Sequence, residues 1–307
     1  MVGGNFAGEA SQRAPDRPRA PTERPTKALE LEDWLNRRIY HRFSWRLSGL
    51  LEATPVTPNM VSFASFWCII GAGACYVGLD WPLSVAAGFF LHALWHVVDG
   101  ADGDLARRTG RASPWGELID GVCDYAGHFF LYWMLAFMLY GSIGHWAWPL
   151  VLASGLSRIV QSNHAETGRR TYLWRIYGIP WLKQVEARPD EAAPAPGPIG
   201  RLLAALGRAY VAAAEDPVTA RVDALVADPA ARRVCRRAFR NSIRVQTALG
   251  ANYRTIALGL SMATGTPLWF FLLELFGLNL ALIWSRRLQR RCNLVVEARL
   301  APSEGRA

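Results

Sequence analysis

Asp99-Gly-Ala-Asp102-Gly103-Asp-Leu-Ala106-Arg107, followed by Gly116-Glu-Leu-Ile-Asp120-Gly-Val-Cys-Asp124, sets four carboxylates at regular intervals beside strongly apolar sequence. A carboxylate next to hydrocarbon is costly unless it is paired or coordinated, so this arrangement points to metal and phosphate handled at a membrane surface. In a helix Asp99 and Asp102 lie three apart and Asp120 and Asp124 four apart, which puts each pair on one face. Two such helices facing each other gather all four into one pocket. Unpaired, the carboxylates repel and take up protons; bridged by two divalent cations they can all stay ionised. Oxygen-only ligands at a phosphate site favour Mg²⁺ or Mn²⁺ over zinc.

Small residues supply the matching space. Gly103 follows Asp102, Ala106 continues the same small face, and Gly116 lies one turn before Asp120, so a flat or bulky ligand can reach the helix backbone. Arg107 adds a rigid fork of donors suited to phosphate. Close helix packing in a membrane is the competing explanation for such small residues. His92, His96 and His128 share faces with the acids and are expected to support the bundle rather than bind metal.

The elements that must hold these residues are apolar runs. The chain is 51% hydrophobic and 19% charged, and the hydrophobic residues concentrate in 60–79, 82–98, 117–141, 144–160, 246–265 and 267–284. Each reads as a spanning helix, giving an all-α integral membrane protein with six transmembrane helices. Breaks at Gly78-Leu-Asp80-Trp-Pro82, Gly141-Ser-Ile-Gly144 and Thr264-Gly265-Thr-Pro267 suit hairpin connections and carry almost no positive charge. Arginines gather at the opposite ends: 107, 108 and 111, then 169 and 170, then 286, 287, 290 and 291. The positive-inside tendency then places both termini, the long segment 161–245 and all four aspartates on the cytoplasmic side, with a cell inner membrane as the expected location.

Residues 1–27 are rich in Pro, Arg, Ala and Gly and read as a disordered cytoplasmic arm rather than a signal peptide. Within 28–56, Leu31, Trp34, Leu35, Tyr40, Phe43, Leu47 and Leu50 recur among Arg37, Arg38, Arg42 and Arg46, an amphipathic pattern suited to an amino-terminal helix in the interface plane. A helix packed in soluble fashion is the alternative. The core domain is taken as 57–286, with the cytoplasmic insert 161–245 inside it and a tail at 287–307. The insert has an Ala-Pro linker over 188–198 and helical stretches at 202–214 and 220–225. It reads as a cover for the site, an oligomer contact or a neutral cap. The net charge of +9 comes without zinc-finger spacing or an RNA-binding aromatic signature. Topology and anionic lipid account for it better than nucleic acid. Five cysteines form no CxxC pair, so unbridged thiols are expected.

The spacing closely resembles that of the CDP-alcohol phosphotransferases. Their signature stands complete as Asp99, Asp102, Gly103, Ala106, Arg107, Gly116, Asp120 and Asp124. The resemblance implies a six-helix membrane fold, usually dimeric, with an amphipathic amino-terminal helix and a cytoplasm-facing site. It implies that Asp99, Asp102, Asp120 and Asp124 surround two metal ions and that Gly103, Ala106, Arg107 and Gly116 accommodate the CDP part of a donor. Asp124 is then the general base. Thr57-Pro58-Asn59 resembles the family's entry to its first span, with Asn59 and Ser62 bordering the nucleotide. The implied reaction is direct attack of a hydroxyl on a CDP-linked phosphorus, releasing CMP.

For the acceptor, Arg158 and Arg254 lie in or near spans, where a buried guanidinium needs a partner. A phosphate on the acceptor is one, and a structural salt bridge to Glu274 or a lipid phosphate is the other. His164, Arg169, Arg170, Tyr172 and Arg175 read either as a cover over a polar substrate or as an ordinary positive flank. The favoured reading has CDP-diacylglycerol as donor to inositol phosphate, inositol or glycerol phosphate. The alternative is a soluble CDP-alcohol donor with a lipid alcohol acceptor. A divalent-cation transporter is the non-enzymatic alternative, disfavoured because the acids cluster at one membrane face rather than the midplane.

Overall fold

The computed structural model describes residues 31, 33–179, 222 and 229–300, and every regular element among them is helical. A π turn at Asn36–Tyr40 leads into α1 (His41–Leu51), followed by α2 (Pro58–Gly78), α3 (Leu83–Arg108) and α4 (Pro114–Ile143). A 3₁₀ turn at Gly144–Trp146 precedes α5 (Ala147–Tyr177). Then come α6 (Pro229–Thr247), α7 (Ala251–Ala263), α8 (Leu268–Leu272), a π turn at Leu273–Gly277 and α9 (Leu278–Leu300).

Among the described residues, four helical stretches are long and apolar enough to cross a membrane: Pro58–Gly78, Leu83–Arg108, Trp115–Tyr177 and Leu268–Leu300. The third contains both α4 and α5, which separate at Gly144, where φ is 61° and a side chain would be strained. The architecture is all-α and multi-pass, consistent with an integral membrane protein. The expected span 246–265 is not one helix. Gln246 and Thr247 end α6, and α7 has only 13 residues. At 1.5 Å per residue it covers about 20 Å, short of the roughly 30 Å hydrocarbon core.

Other expected boundaries also move. Helix α5 continues unbroken to Tyr177 and α6 begins at Pro229, so both ends of the expected insert 161–245 are helix. The expected tail 287–307 begins inside α9, which runs to Leu300. Charge ends a membrane span but does not end a helix, and arginine is a good helix former. The arm 1–27, the linker 188–198, the stretches 202–214 and 220–225 apart from Val222, and residues 301–307 lie outside the described residues.

Helix α2 packs against α3 and α4, α1 and α7 lie along α3, and α6 sits between α5 and α9. The main core joins Ile69, Tyr76, Trp95, Leu131, Leu135, Leu258 and Phe271. Close approach decides the α2–α3 crossing: a Cβ on Gly88 would stand 2.5 Å from the Tyr76 ring. A second core, with Tyr172, Ile176, Phe239, Ile243 and Val296, joins the extended ends of α5 and α9 to α6.

Helix α1 is oriented by its small polar face. Tyr40, Ser44 and Ser48, at four-residue spacing, are buried, while Trp34, Phe43 and Leu50 face outward. Ser44 Oγ lies 2.8 Å from the Tyr40 carbonyl and 2.9 Å from that of Val97 on α3. Tyr40 therefore leaves the outward apolar face expected for it and stacks on His96 with ring centroids 4.7 Å apart. Arg108 locks the other end, with its guanidinium 3.4 Å above the Trp45 ring and a 2.9 Å bond to Glu52.

Candidate active site

Two helix starts and one helix end meet at the carboxylates. Thr57 and Ser113 cap α2 and α4 by accepting from the backbone N–H groups of Met60 (3.3 Å) and Gly116 (3.1 Å), and a proline follows each cap. The start of α2 packs beside the last turns of α3, with Val61 against Ala101 and Leu105, and the start of α4 lies beside that of α2. Gly116 brings them close: a Cβ on it would lie 3.8 Å from Asn59 Oδ1.

Carboxylate oxygens of Asp99, Asp120 and Asp124 all lie within 4.8 Å of one another. Asp99 Oδ1 and Asp120 Oδ1 are buried with no hydrogen-bond partner, and Asp124 Oδ1 accepts from the Trp95 indole N–H at 2.9 Å. Unbonded carboxylate oxygens facing like charges are costly, and a divalent cation is the partner that suits an all-oxygen donor set. Asp102, the fourth acid, has both oxygens engaged: Oδ2 accepts from Ser62 at 2.5 Å and Oδ1 from the Gly103 N–H. Ser62, on α2, thus reaches the cluster through Asp102.

Arg107 is partly exposed and donates to the fully buried Asp104 at 2.6 Å. Its guanidinium lies over Gly103, where a Cβ would come within 3.4 Å of it. Ala106, on the same last turns of α3, is half-buried.

A cavity of about 470 Å³ opens on the other side of the cluster, where its wall includes Asp99, Asp124, Arg158, Ser162 and Arg254. Asn59, Gly103, Arg107 and Gly116 are not part of that wall. Asp33, Asn36 and Asn252 close it above, Asn252 donating to Asp33 at 2.5 Å. Burial, and then the Asp33 carboxylate, push the nearby Tyr40 phenol above its ordinary pKa, so it stays neutral against His96.

The two expected arginines differ. Arg254 uses all three nitrogens: Nε on Glu274 (2.8 Å), Nη2 on Gln161 Oε1 (2.7 Å), and Nη1 on the Leu249 carbonyl and Ser162 Oγ (3.5 Å). The structural pairing with Glu274 is the one present. Among the described residues, Arg158 makes its polar contacts through Nη1, to Tyr132 Oη (3.2 Å) and Glu274 (3.7 Å).

The basic group in the second half of α5 disperses. His164 bonds Ser285 (2.8 Å), Arg175 bonds Asn293 (2.8 Å) and Tyr172 is buried in the second core. Arg169 and Arg170 both bond Glu166, and Arg169 and Glu166 alone among these reach the cavity. None of the three histidines belongs to the carboxylate group; His96 meets Thr255 (2.9 Å) and His128 the Asp124 carbonyl (2.8 Å).

Sequence reasoning missed Trp95, Tyr132, Gln161, Asp33 and Asn252. Trp95 had a signal, since it precedes Asp99 by four residues and shares its helical face. Gln161, three residues after Arg158 in an apolar stretch, had another.

Residues 55–176, the stretch from the start of α2 to the end of α5, match the family model described as CDP-alcohol phosphatidyltransferase. Over this segment the chain is similar to that family. The chain is also similar to a "Bifunctional IPC transferase and DIPP synthase" from Thermococcus kodakarensis, 32% identical over 164 residues. That alignment covers 52% of this chain and 35% of the relative, so the chain spans about a third of the relative's length. The phosphatidyltransferase segment holds all four aspartates, Trp95 and Arg158, whereas Glu274, Arg254 and Asn252 lie beyond it.

Proposed function

We propose that the chain transfers a phosphatidyl group from CDP-diacylglycerol to a small polar alcohol, with inositol phosphate, inositol and glycerol phosphate the favoured acceptors, and releases CMP. The observation that carries this reading is the carboxylate group at the boundary between two unlike sides. On one side lie Gly103, Arg107, Gly116 and Asn59 with two helix starts; on the other lies the cavity whose wall carries Asp99, Asp124, Arg158 and Arg254. A diphosphate suits the first side and a hydroxyl-bearing acceptor the second.

Asp99, Asp102, Asp120 and Asp124 are the residues that would hold two Mg²⁺ or Mn²⁺ ions, with the partnerless oxygens of Asp99 and Asp120 as the clearest sites. Such ions, when bound, neutralise the diphosphate and the departing CMP. Ser62 keeps Asp102 from swinging away, and Arg107, steered by Asp104, presents its outer face to a phosphate oxygen. Trp95 holds one oxygen of Asp124 and leaves the other free to take the acceptor's proton as its oxygen attacks phosphorus. Arg158 offers Nε and Nη2 to an anionic group on the acceptor.

An interfacial α1, a cytoplasm-facing site, an inner-membrane location and a homodimer belong to the same proposal. The outward Phe43 and Leu50 of α1, with the exposed Trp34 ahead of the π turn, support its interfacial placement. The test is incubation of purified protein with radiolabelled CDP-diacylglycerol, Mg²⁺ and each of the three alcohols. CMP release together with a new lipid product is expected. CMP release without lipid product would turn the assignment toward a soluble CDP-alcohol donor, and no nucleotide turnover with any donor would sink it.

A further inference from the structure

Glu274 is not one of the clustered carboxylates, yet it is fully buried and both of its carboxylate oxygens are engaged. Oε1 is shared by two guanidinium groups, Arg254 at 2.8 Å and Arg158 at 3.7 Å. Oε2 accepts a 2.5 Å bond from the Tyr132 hydroxyl, which in turn accepts from Arg158 Nη1 at 3.2 Å. The residue stands on the π turn Leu273–Gly277, and α5 fixes that turn: Gln161 Nε2 bonds the Glu274 carbonyl (3.0 Å) and Ser154 bonds the Phe271 carbonyl (3.2 Å). π turns are rare and concentrate at working sites, where they re-aim one side chain.

We propose that Glu274 is a positioning residue for the acceptor. With Tyr132 it clamps the inner edge of Arg158 so that the outer edge faces the cavity, while Arg254 serves as the counter-charge that lets Glu274 remain there as an anion. Arg158, Arg254 and Glu274 together carry one net positive charge, and Arg158 is its cavity-facing bearer: its side chain keeps 13% exposure against 3% for Arg254. A buried carboxylate with two cationic partners and a phenol is held far more rigidly than an exposed pair. A guanidinium so held loses little freedom when a substrate binds it. Glu274, Arg254 and the π turn all lie outside the family-matched segment 55–176, so the cavity's aim is set by a part of the chain distinct from the carboxylate machinery.

This inference rests on reading the cavity as the acceptor's site. The test compares wild type, Tyr132→Phe, Glu274→Gln and the double variant Glu274→Gln/Arg254→Gln in detergent, with CDP-diacylglycerol and whichever of inositol phosphate, inositol and glycerol phosphate gives lipid product. Tyr132→Phe, which removes a single hydroxyl, is expected to raise the acceptor KM roughly threefold to tenfold. The double variant, a neutral amide pair, is expected to melt near wild type and to raise the acceptor KM about tenfold or more, with the donor KM changed by less than about twofold. A double variant with wild-type melting and wild-type acceptor KM would overturn the positioning role. So would equal rises in both KM values. An Arg158→Ala control separates the two readings: if it weakens the donor and spares the acceptor, the assignment of the cavity fails, and with it this inference.

Discussion

The indole N–H of Trp95 occupies one oxygen of Asp124 and so makes the two carboxylate oxygens inequivalent. Replacing Asp124 by Asn keeps that bond and removes the proton acceptor. Transfer is expected to fall by about a hundredfold to ten-thousandfold while a CDP donor still binds, as titration calorimetry beside a turnover assay would show. Loss of binding as well would make Asp124 chiefly a metal ligand. Asp99→Asn and Asp120→Asn are expected to abolish most turnover with the fold intact, and full activity in strong chelator would rule out the metal requirement. The two arginines call for different outcomes. Arg158→Ala is expected to raise the acceptor KM with little change in melting temperature. Arg254→Ala strands Glu274 as a buried charge and removes partners of Gln161, so a stability loss of about 3–5 kcal/mol is expected by chemical denaturation.

Among the helices, the caps and the crossings are the sensitive points. Ser113→Ala removes the bond that starts α4 next to Gly116, at an expected cost of about 1 kcal/mol, visible as a lower melting temperature. Gly88→Leu drives a side chain into the Tyr76 ring and is expected to cost about 1–3 kcal/mol or more by overpacking. The existence of α2 to α5 was legible because long apolar runs bounded by Gly and Pro have few other solutions. Their ends were not: Arg169, Arg170 and Arg175 stop hydropathy while continuing the helix. The inward face of α1 was misread for a related reason. Tyr40 scores as apolar, whereas Ser44 and Ser48, the residues that fit against Gly100 and α3, carry no hydropathy signal.

Across the molecule, the carboxylates and the cavity have different origins. The acids fall within a single sequence window and were readable from spacing alone. The cavity is not local, since it draws Asp33 from before α1, Arg158 from α5, and Asn252 and Arg254 from α7, contacts that no periodicity encodes. Helix α6 forms part of its wall through Ile243 and Gln246, and reaches α5 only because residue 168 is glycine, where a Cβ would collide with the Gln246 carboxamide. Gly168→Val is therefore expected to speed proteolysis of α6 and to raise the acceptor KM with the donor KM spared. Tyr132 and Glu274, which share one hydrogen bond, stand 142 residues apart. A chain built from its amino terminus can assemble the four acids as soon as α4 is in place, while α8 and the turn after it are still being made. On the reading proposed above, the two halves of the site are completed at different times, the acceptor side only when the last helices are inserted.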